Sequence, residues 1–496
     1  VAGFGKPDHA NDSRDVLRVR LARSIVATRE QPDVTNHRTL AVPALLGLLV
    51  SGCATPPIQP SPPSASVAAA LAVPAAAPPK LKNVIVMIGD GMGYNHLDLA
   101  SLYHRGTSAA QVAVDPGTGV VTRQPSTPDG ALADFDQALA MRTSQAGREY
   151  EPAQAWSSFR WVLKKPTDSA AAATAIATGT KTRNGSIGVD VDKDPLTNLT
   201  ETAIGNGRAA GVVTSVAFSH ATPAAFSAHD TDRGDYADIA NDQLRSGLTV
   251  VMGAGHPQYT KNHNKRSKAR YTYLSKAAWT NLRKERTPFT LTTSLADFEA
   301  LTEGDTPERV FGVAQVASTL QQKRSGSTRT PYAAKRNGVP TLATMTRGAL
   351  NVLDNDPNGL FLMVEGGAID WAAHANQTGR VIEETQSFLD SVAAVEEWVE
   401  TNSSWDETLL VVTADHETGY LTGRGANPGW TPITGAAGTV PAVTWRTDEH
   451  TASLVPFYAR GLGSTDLAAR ATHTDPVRGR YLDNTALAKV VRALWG

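Results

Sequence analysis

Residues 83–93 read NVIVMIGDGMG, a continuous apolar run that stops at an acidic residue held between glycines. The run from Asn83 to Ile88 is rich in β-branched residues and unbroken by polar ones. It predicts a strand buried on both faces of a parallel sheet. Glycines on either side let the backbone turn sharply and leave Asp90 at the strand's carboxyl end. A glycine-flanked Asp is by itself only a turn, but the arrangement recurs. Residues 209–216 (AAGVVTSV) run into Ser219-His220-Ala221-Thr222, residues 360–364 into Glu365-Gly366-Gly367, and Thr408–Thr413 into Ala414-Asp415-His416. Residues 248–252 end at Gly253, and a strand over 454–459 follows Asp448-Glu449-His450. Helical spacing lies between them, at 341–353 and at 381–400 with Ile382, Leu389, Val392, Val395 and Val399 on one face. The alternation predicts an α/β fold, a mostly parallel central sheet with helices on both faces. Ligand crevices of such sheets lie at the strands' carboxyl ends, so Asp90, Thr222, Glu365 and Asp415 are expected to converge.

A second stretch, residues 167–182 (TDSAAAATAIATGTKT), sets a polar pair before an Ala-rich helix. Asp168 is expected at the N-cap and Ser169 at the first helical position. A hydroxyl there faces the positive end of a helix, which favours a bound phosphate and a serine alkoxide. Asp370 and His374 are four residues apart, one turn on a shared helical face, as two ligands of one metal would be. Asp415 and His416 are adjacent and would point to opposite faces of a continuing strand. They serve one ion only if the strand has ended by Ala414.

The chain has 496 residues, a formal net charge of −1 and 41% hydrophobic residues. That is enough for one large or two medium domains. The charge balance gives no case for nucleic-acid-specific binding. The single cysteine, Cys53, excludes intrachain disulfides and Cys-based metal sites. His, Asp, Glu and hydroxyl ligands remain, a set suited to zinc and magnesium. No run after residue 80 is long enough for a membrane-spanning helix.

Residues 1–36 are polar and aperiodic and read as an upstream segment outside the fold. Residues 37–53 carry Arg38, an apolar run over 40–50 and then Ser51-Gly52-Cys53. This is the layout of a secretory signal. Small residues before a lone Cys resemble a bacterial lipobox, which implies cleavage before Cys53 and lipid anchoring through its sulfur on the periplasmic or cell-surface side. A plain signal peptide is the alternative. Residues 54–80 are Pro- and Ala-rich and read as a tether. The globular domain is expected over 81–496. Residues 255–308 crowd Lys261, Lys265, Arg266, Lys268, Arg270, Lys276, Arg283, Lys284 and Arg286 together and read as a solvated basic insertion, or as a lid for anionic substrates. Trp156, Phe159 and Trp161 read as packing.

With these segments in place, the chain from Leu81 to Trp495 resembles the alkaline phosphatase family. The nucleophile signature Asp-Ser-small-small-small-small-Thr matches Asp168 to Thr174, with Pro166 where Ile or Val is usual. TGTKT, NGSIGVD, VEGGAIDWAAH and VVTADHETG extend the match. The resemblance implies that Ser169 is the nucleophile that becomes phosphorylated and that Arg233 grips two phosphate oxygens. It implies one zinc on Asp90, Asp415 and His416, a second on Asp370, His374 and His450, and a magnesium on Asp90, Thr222 and Glu365. His220 and Trp371 stand where some relatives carry Asp and Lys. A His/Trp pairing puts the third ion's identity in doubt and makes His220 and Trp371 candidate contacts of that ion or of phosphate, His220 as a direct ligand.

The implied reaction is hydrolysis of small-molecule phosphate monoesters through a phosphoserine. A homodimer is also implied, its interface unread. A phosphodiesterase of the same superfamily and a catalytically silent metal- or phosphate-binding lipoprotein are the competing readings. Ser169 rather than Thr disfavours the diesterase, Ala173 lacks the Arg expected of a sulfatase, and no implied ligand is missing. His229 is expected to be structural.

Overall fold

The computed structural model describes residues 80–108, 112–115, 117–123, 130–425 and 430–496. The expectations for 1–36, the signal over 37–53 with Cys53, and the tether up to residue 79 lie outside them.

Eleven strands of the described residues form one sheet. In chain order they are β1 (Asn83–Ile88), β2 (Gln137–Arg142), β3 (Ala209–Ala217), β4 (Val250–Ala254), β5 (Thr290–Thr292), β6 (Val310–Val313), β7 (Leu360–Glu365), β8 (Thr408–Thr413), β9 (Val455–Gly461), β10 (His473–Asp475) and β11 (Gly479–Asp483). Their spatial order is β10-β11-β2-β9-β8-β1-β7-β3-β4-β6-β5. From β8 to β5 every pairing is parallel, and β9 joins β8 antiparallel. This is the expected α/β sheet, extended on one side by a mixed edge.

The four strands whose ends carry the candidate ligands, β8 (Asp415), β1 (Asp90), β7 (Glu365) and β3 (Thr222), are consecutive neighbours. Each is buried along its length, which is why each reads as an unbroken apolar run. Their register is level at the carboxyl ends. Ile88 lies opposite both Thr413 and Glu365, and Glu365 lies opposite Thr214. Residues far apart in sequence therefore leave the sheet at one height.

Seven helices matter for the site: α1 (Tyr94–Arg105), α2 (Ser169–Thr178), α3 (Ala221–Ala225), α4 (Leu342–Leu353), α5 (Ala368–His374), α6 (Thr378–Asn402) and α7 (Ala486–Trp495). Every residue of α2 is buried, and it packs on α3 and α7. Its run of Ala allows that close approach. Asp168 caps it by accepting from Ala171 N, and Gly179 closes it in the left-handed conformation at φ 77°.

Boundaries differ in detail from the sequence reading. The strand expected over 248–252 runs through Gly253. A Cβ there would meet Phe218 N and Val216 O at 2.9 Å, so glycine permits the close pass of β3 at its register shift. The stretch 255–308 is more than a solvated insertion. It supplies edge strand β5 and buries Trp279, Leu282, Phe289 and Phe298 in the main core, while its basic side chains stay mostly at the surface. Trp156, Phe159 and Trp161 pack beside Tyr150 and Tyr420 as expected.

Candidate active site

Asp90 follows β1 in a turn that only glycine completes. Gly91 has φ 68°, and a Cβ on it would lie 2.7 Å from Thr418 Oγ1 and 2.9 Å from Asp370 Oδ1. Its N–H donates to Asp415 Oδ1 at 3.1 Å. Strand β8 ends at Thr413, so the condition set by the sequence for Asp415 and His416 is met. His416 Nε2 lies 3.4 Å from both Asp415 Oδ2 and Asp90 Oδ1.

Asp370 and His374 share one face of α5, with 3.3 Å between His374 Nε2 and Asp370 Oδ1. His450 arrives from a short ribbon in which His450–Thr451 pairs with Glu417–Thr418. Its Nε2 lies 3.5 Å from Asp370 Oδ1 and 3.0 Å from His374 Nε2. His374 Nδ1 meets Asp448 O, and His450 Nδ1 meets Thr167 O at 3.0 Å. Carbonyls only accept, so both Nδ1 atoms carry protons and both Nε2 atoms converge on Asp370.

Thr418 settles the tautomer of His416. Its hydroxyl donates to Asp370 Oδ1 at 2.6 Å, and its oxygen lies 3.3 Å from His416 Nδ1. With its one proton given to Asp370, the Thr418 oxygen accepts from Nδ1–H. That leaves His416 Nε2 a bare acceptor. Ser169 Oγ lies 3.1 Å from that nitrogen.

The electrostatics call for cations. Burial, then Asp415, pushes Asp90 well above the ordinary carboxylate range. Burial raises Glu365 to about 7 and Asp415 to about 6. Burial alone would also raise Asp370, but the bond from His450 and the charge on that ring hold it well below. Burial opposes a charge on His450, yet the Asp370 bond carries it up to about 9. Burial holds His416 far down, and it is neutral.

Asp90 Oδ1 and Oδ2, Glu365 Oε1, Asp415 Oδ2, Thr222 Oγ1 and His220 Nδ1 are buried without a hydrogen-bond partner. Orphaned buried oxygens and nitrogens of this kind fit divalent cations. Among the described residues, two ligand sets have all donor atoms within 4.8 Å of one another: Asp370, His374 and His450, and Asp90, Asp370 and His416. The first is the set expected from the sequence. The second shows Asp370 standing between the two centres.

Arg233 is anchored by Asp168, whose Oδ2 accepts from Arg233 Nη1 at 3.1 Å and from Gly185 N at 2.9 Å. One carboxylate thus caps the Ser169 helix and aims the guanidinium. Ser169, Arg233, His220, Asp370, Trp371, His374 and His450 line one cleft of about 800 Å³.

The alkaline phosphatase family model matches residues 143–442. Alkaline phosphatase H of Pseudomonas aeruginosa is 30% identical over 80% of this chain and 83% of its own length. The chain belongs to the alkaline phosphatase family. It is also 31% identical to streptomycin-6-phosphate phosphatase of Streptomyces griseus, over 86% of this chain and 94% of that one. The solved alkaline phosphatase of the Antarctic bacterium TAB5 superposes with a TM-score of 0.58 at 25% identity, covering 84% of this chain and 99% of that one. Family membership makes the chain a phosphatase, and its fold is alkaline phosphatase-like.

Within this alkaline phosphatase scaffold, the His220 and Trp371 rings meet edge to face at 5.2 Å. Burial, then Arg233, pushes His220 down to about 3, so its imidazole is neutral. His229 is structural as expected, bonded to Gly188 O at 2.8 Å and Glu201 Oε1 at 2.7 Å.

Three residues not singled out by the sequence reading also serve the site. Thr418 sits two positions after His416. Asn184 accepts from Asp168 N at 3.0 Å and donates to Pro166 O at 3.1 Å, and Gln145 also donates to Pro166 O at 3.2 Å. Thr418 and Asn184 lie inside VVTADHETG and NGSIGVD, the signal that could have found them. Gln145 had no such signal. Lys165, before Pro166, is held at φ 49°. The proline therefore follows a left-handed residue rather than the extended one that usually precedes it.

Proposed function

We propose that the protein is a metal-dependent phosphomonoesterase that hydrolyses phosphate esters to an alcohol and inorganic phosphate through a phosphoserine at Ser169. The observation that carries this reading is the 3.1 Å approach of Ser169 Oγ to the bare Nε2 of His416, at the first turn of α2 and beside Arg233.

Asp90, Asp415 and His416 would hold one zinc ion, Asp370, His374 and His450 a second, and Asp90, Thr222 and Glu365 a magnesium ion, with His220 an additional ligand there. Bound cations lower the pKa of a hydroxyl and stabilise charge on the attacking and leaving oxygens of an in-line displacement. The residues do the rest. Arg233 presents its planar fork to two phosphoryl oxygens, its direction fixed by Asp168. Ser169 Oγ bonds to phosphorus as the ester P–O bond breaks and the alcohol departs. Water then cleaves the seryl phosphate, restoring Ser169 and releasing inorganic phosphate. The Asp168 cap holds the Ser169 hydroxyl in place before a substrate arrives, which keeps reorganisation small.

Export with anchoring through an acylated Cys53 is part of the proposal. Among the described residues no helix is long and apolar enough to cross a membrane. The test of the activity is hydrolysis of a generic phosphomonoester at alkaline pH by wild type, by Ser169→Ala and by chelator-treated protein. Only the untreated wild type is expected to turn over. A large preference for diesters in kcat/KM would overturn the substrate class.

A further inference from the structure

A cation outside the expected residue set lines the same cleft. Lys323 places its Nζ 4.2 Å from the centroid of the Trp371 ring, within cation–π range. It shares the cleft wall with Ser169, Arg233 and His220. No carboxylate lies within ion-pair distance of it among the described residues.

Its neighbours explain why it stays there. Gln322 is buried and donates to Gln377 Oε1 at 3.0 Å and to Trp371 O at 3.4 Å. Arg324 is buried and bonds Glu383 Oε2 at 2.6 Å, a carboxylate it shares with Arg380. Lys323 N itself donates to Thr319 Oγ1 at 3.0 Å, and Leu320 N donates to Ser215 O, at the end of β3, at 2.9 Å. Two tethered residues thus flank one exposed residue, and the only long charged side chain left to the solvent at this point is directed onto the indole beside Asp370. Burial, then the nearby Lys261, holds the ammonium below the ordinary lysine range. Two cations near each other without a carboxylate favour an arriving anion.

We infer that Lys323, seated on Trp371, is a substrate-binding residue that contacts the phosphoryl oxygens alongside Arg233. The inference rests on the phosphomonoesterase reading, and it assigns Lys323 a role in holding the phosphate dianion and the phosphate product. No bond to phosphorus passes through it.

The test is calorimetric titration of inorganic phosphate into the zinc- and magnesium-loaded protein, as wild type, Lys323→Met and Lys323→Arg, with KM measured for two esters, one with a neutral and one with an anionic leaving group. Loss of one charge-assisted contact predicts that Lys323→Met weakens phosphate binding by about tenfold. It also predicts that KM for both esters rises by a similar factor, that the salt dependence of binding flattens, and that Lys323→Arg recovers most of the loss. Unchanged phosphate affinity in Lys323→Met overturns the inference. So does a KM change confined to the anionic leaving group, which would place Lys323 on the alcohol instead. Phosphate binding reads Lys323 even if no ester is hydrolysed, and absent hydrolysis by the wild type would count against the phosphomonoesterase reading alone.

Discussion

Ser169 Oγ and His416 Nε2 are 3.1 Å apart, although 247 residues separate them in the chain. The level register of β1, β7 and β8 brings the His416 turn to the sheet's carboxyl edge, and the Asp168 cap fixes the start of α2 above it. The nucleophile is thus placed by a helix cap and its partner by a strand end, two of the most rigid devices a fold offers. A hydroxyl proton pointed at a bare imidazole nitrogen also marks the position an ion would share with that nitrogen.

Thr418 fixes the His416 tautomer, so Thr418→Val should reduce metal affinity and kcat. Substitution of a residue that orients a ligand costs about 10–100-fold in either quantity. Zinc titration by competition with a chromophoric chelator, together with kcat, checks this. Unchanged affinity would mean that His416 holds its orientation without the hydroxyl.

Asp168 has two duties that substitution can separate. Asp168→Ala removes the helix cap and should cost about 1–2 kcal/mol of stability, and it should also raise KM by releasing Arg233. Arg233→Lys leaves the cap intact. It should therefore raise KM by roughly tenfold or more, through loss of the bidentate fork, without lowering the denaturation midpoint. A matching loss of stability in Arg233→Lys would show that the ion pair, rather than the cap, holds the helix start.

Metal-free protein should lose stability as pH rises from 7 to 9. His450, at about 9 when folded against an ordinary 6.5, stabilises the fold fully below 6.5 and loses that contribution as pH rises through 9. Asp90, raised by burial, has the same sign, because the folded state binds more protons than the unfolded chain. His220 and His416 are depressed, but their stability terms rise with pH only up to about the unfolded histidine value and are flat above it. The His450 contribution alone is on the order of 3 kcal/mol. Bound divalent ions replace the missing positive charge, so the gap in Tm between loaded and metal-free protein should widen over this range. A gap that narrows would contradict the electrostatic reading of the ligand cluster.

Pro166 should matter little to chemistry. Its carbonyl is held by Asn184 and Gln145, which fix the approach to Ser169 whatever side chain stands there. Pro166→Val should keep kcat within about threefold, whereas Asn184→Ala, which also frees Asp168 N, should lower it by more, a loss of one or two hydrogen bonds. Steady-state kinetics on the two variants distinguishes them.

The centre of the fold was legible because its strands are buried on both faces. NVIVMI and TLLVVT admit no reading but buried segments, and each is followed two positions later by a carboxylate, Asp90 or Asp415. The mixed edge was not legible. Strand β2, QALAMR, is half exposed and its four apolar residues include no β-branched one, while the short β10 and β11 carry neither an apolar run nor a clean alternation. The ligands at strand ends were readable from their positions, and the pairing of Asp370 with His374 from helical spacing. The roles of Thr418 and Lys323 were not, because each depends on what faces it: Thr418 on a hydroxyl shared between Asp370 and His416, Lys323 on an indole 48 residues away that the fold brings beneath it. The motif VVTADHETG marks Thr418 without its role, and spacing along the chain carries no trace of Lys323.

The central claim is that Ser169 carries the phosphoryl group, and the most direct measurement is acid quenching of the metal-loaded protein during turnover of a phosphomonoester, followed by peptide mass spectrometry. The expected result is one phosphoryl group on the peptide containing Ser169, absent in Ser169→Ala together with the activity. Phosphate on another residue, or full turnover by Ser169→Ala, would contradict it.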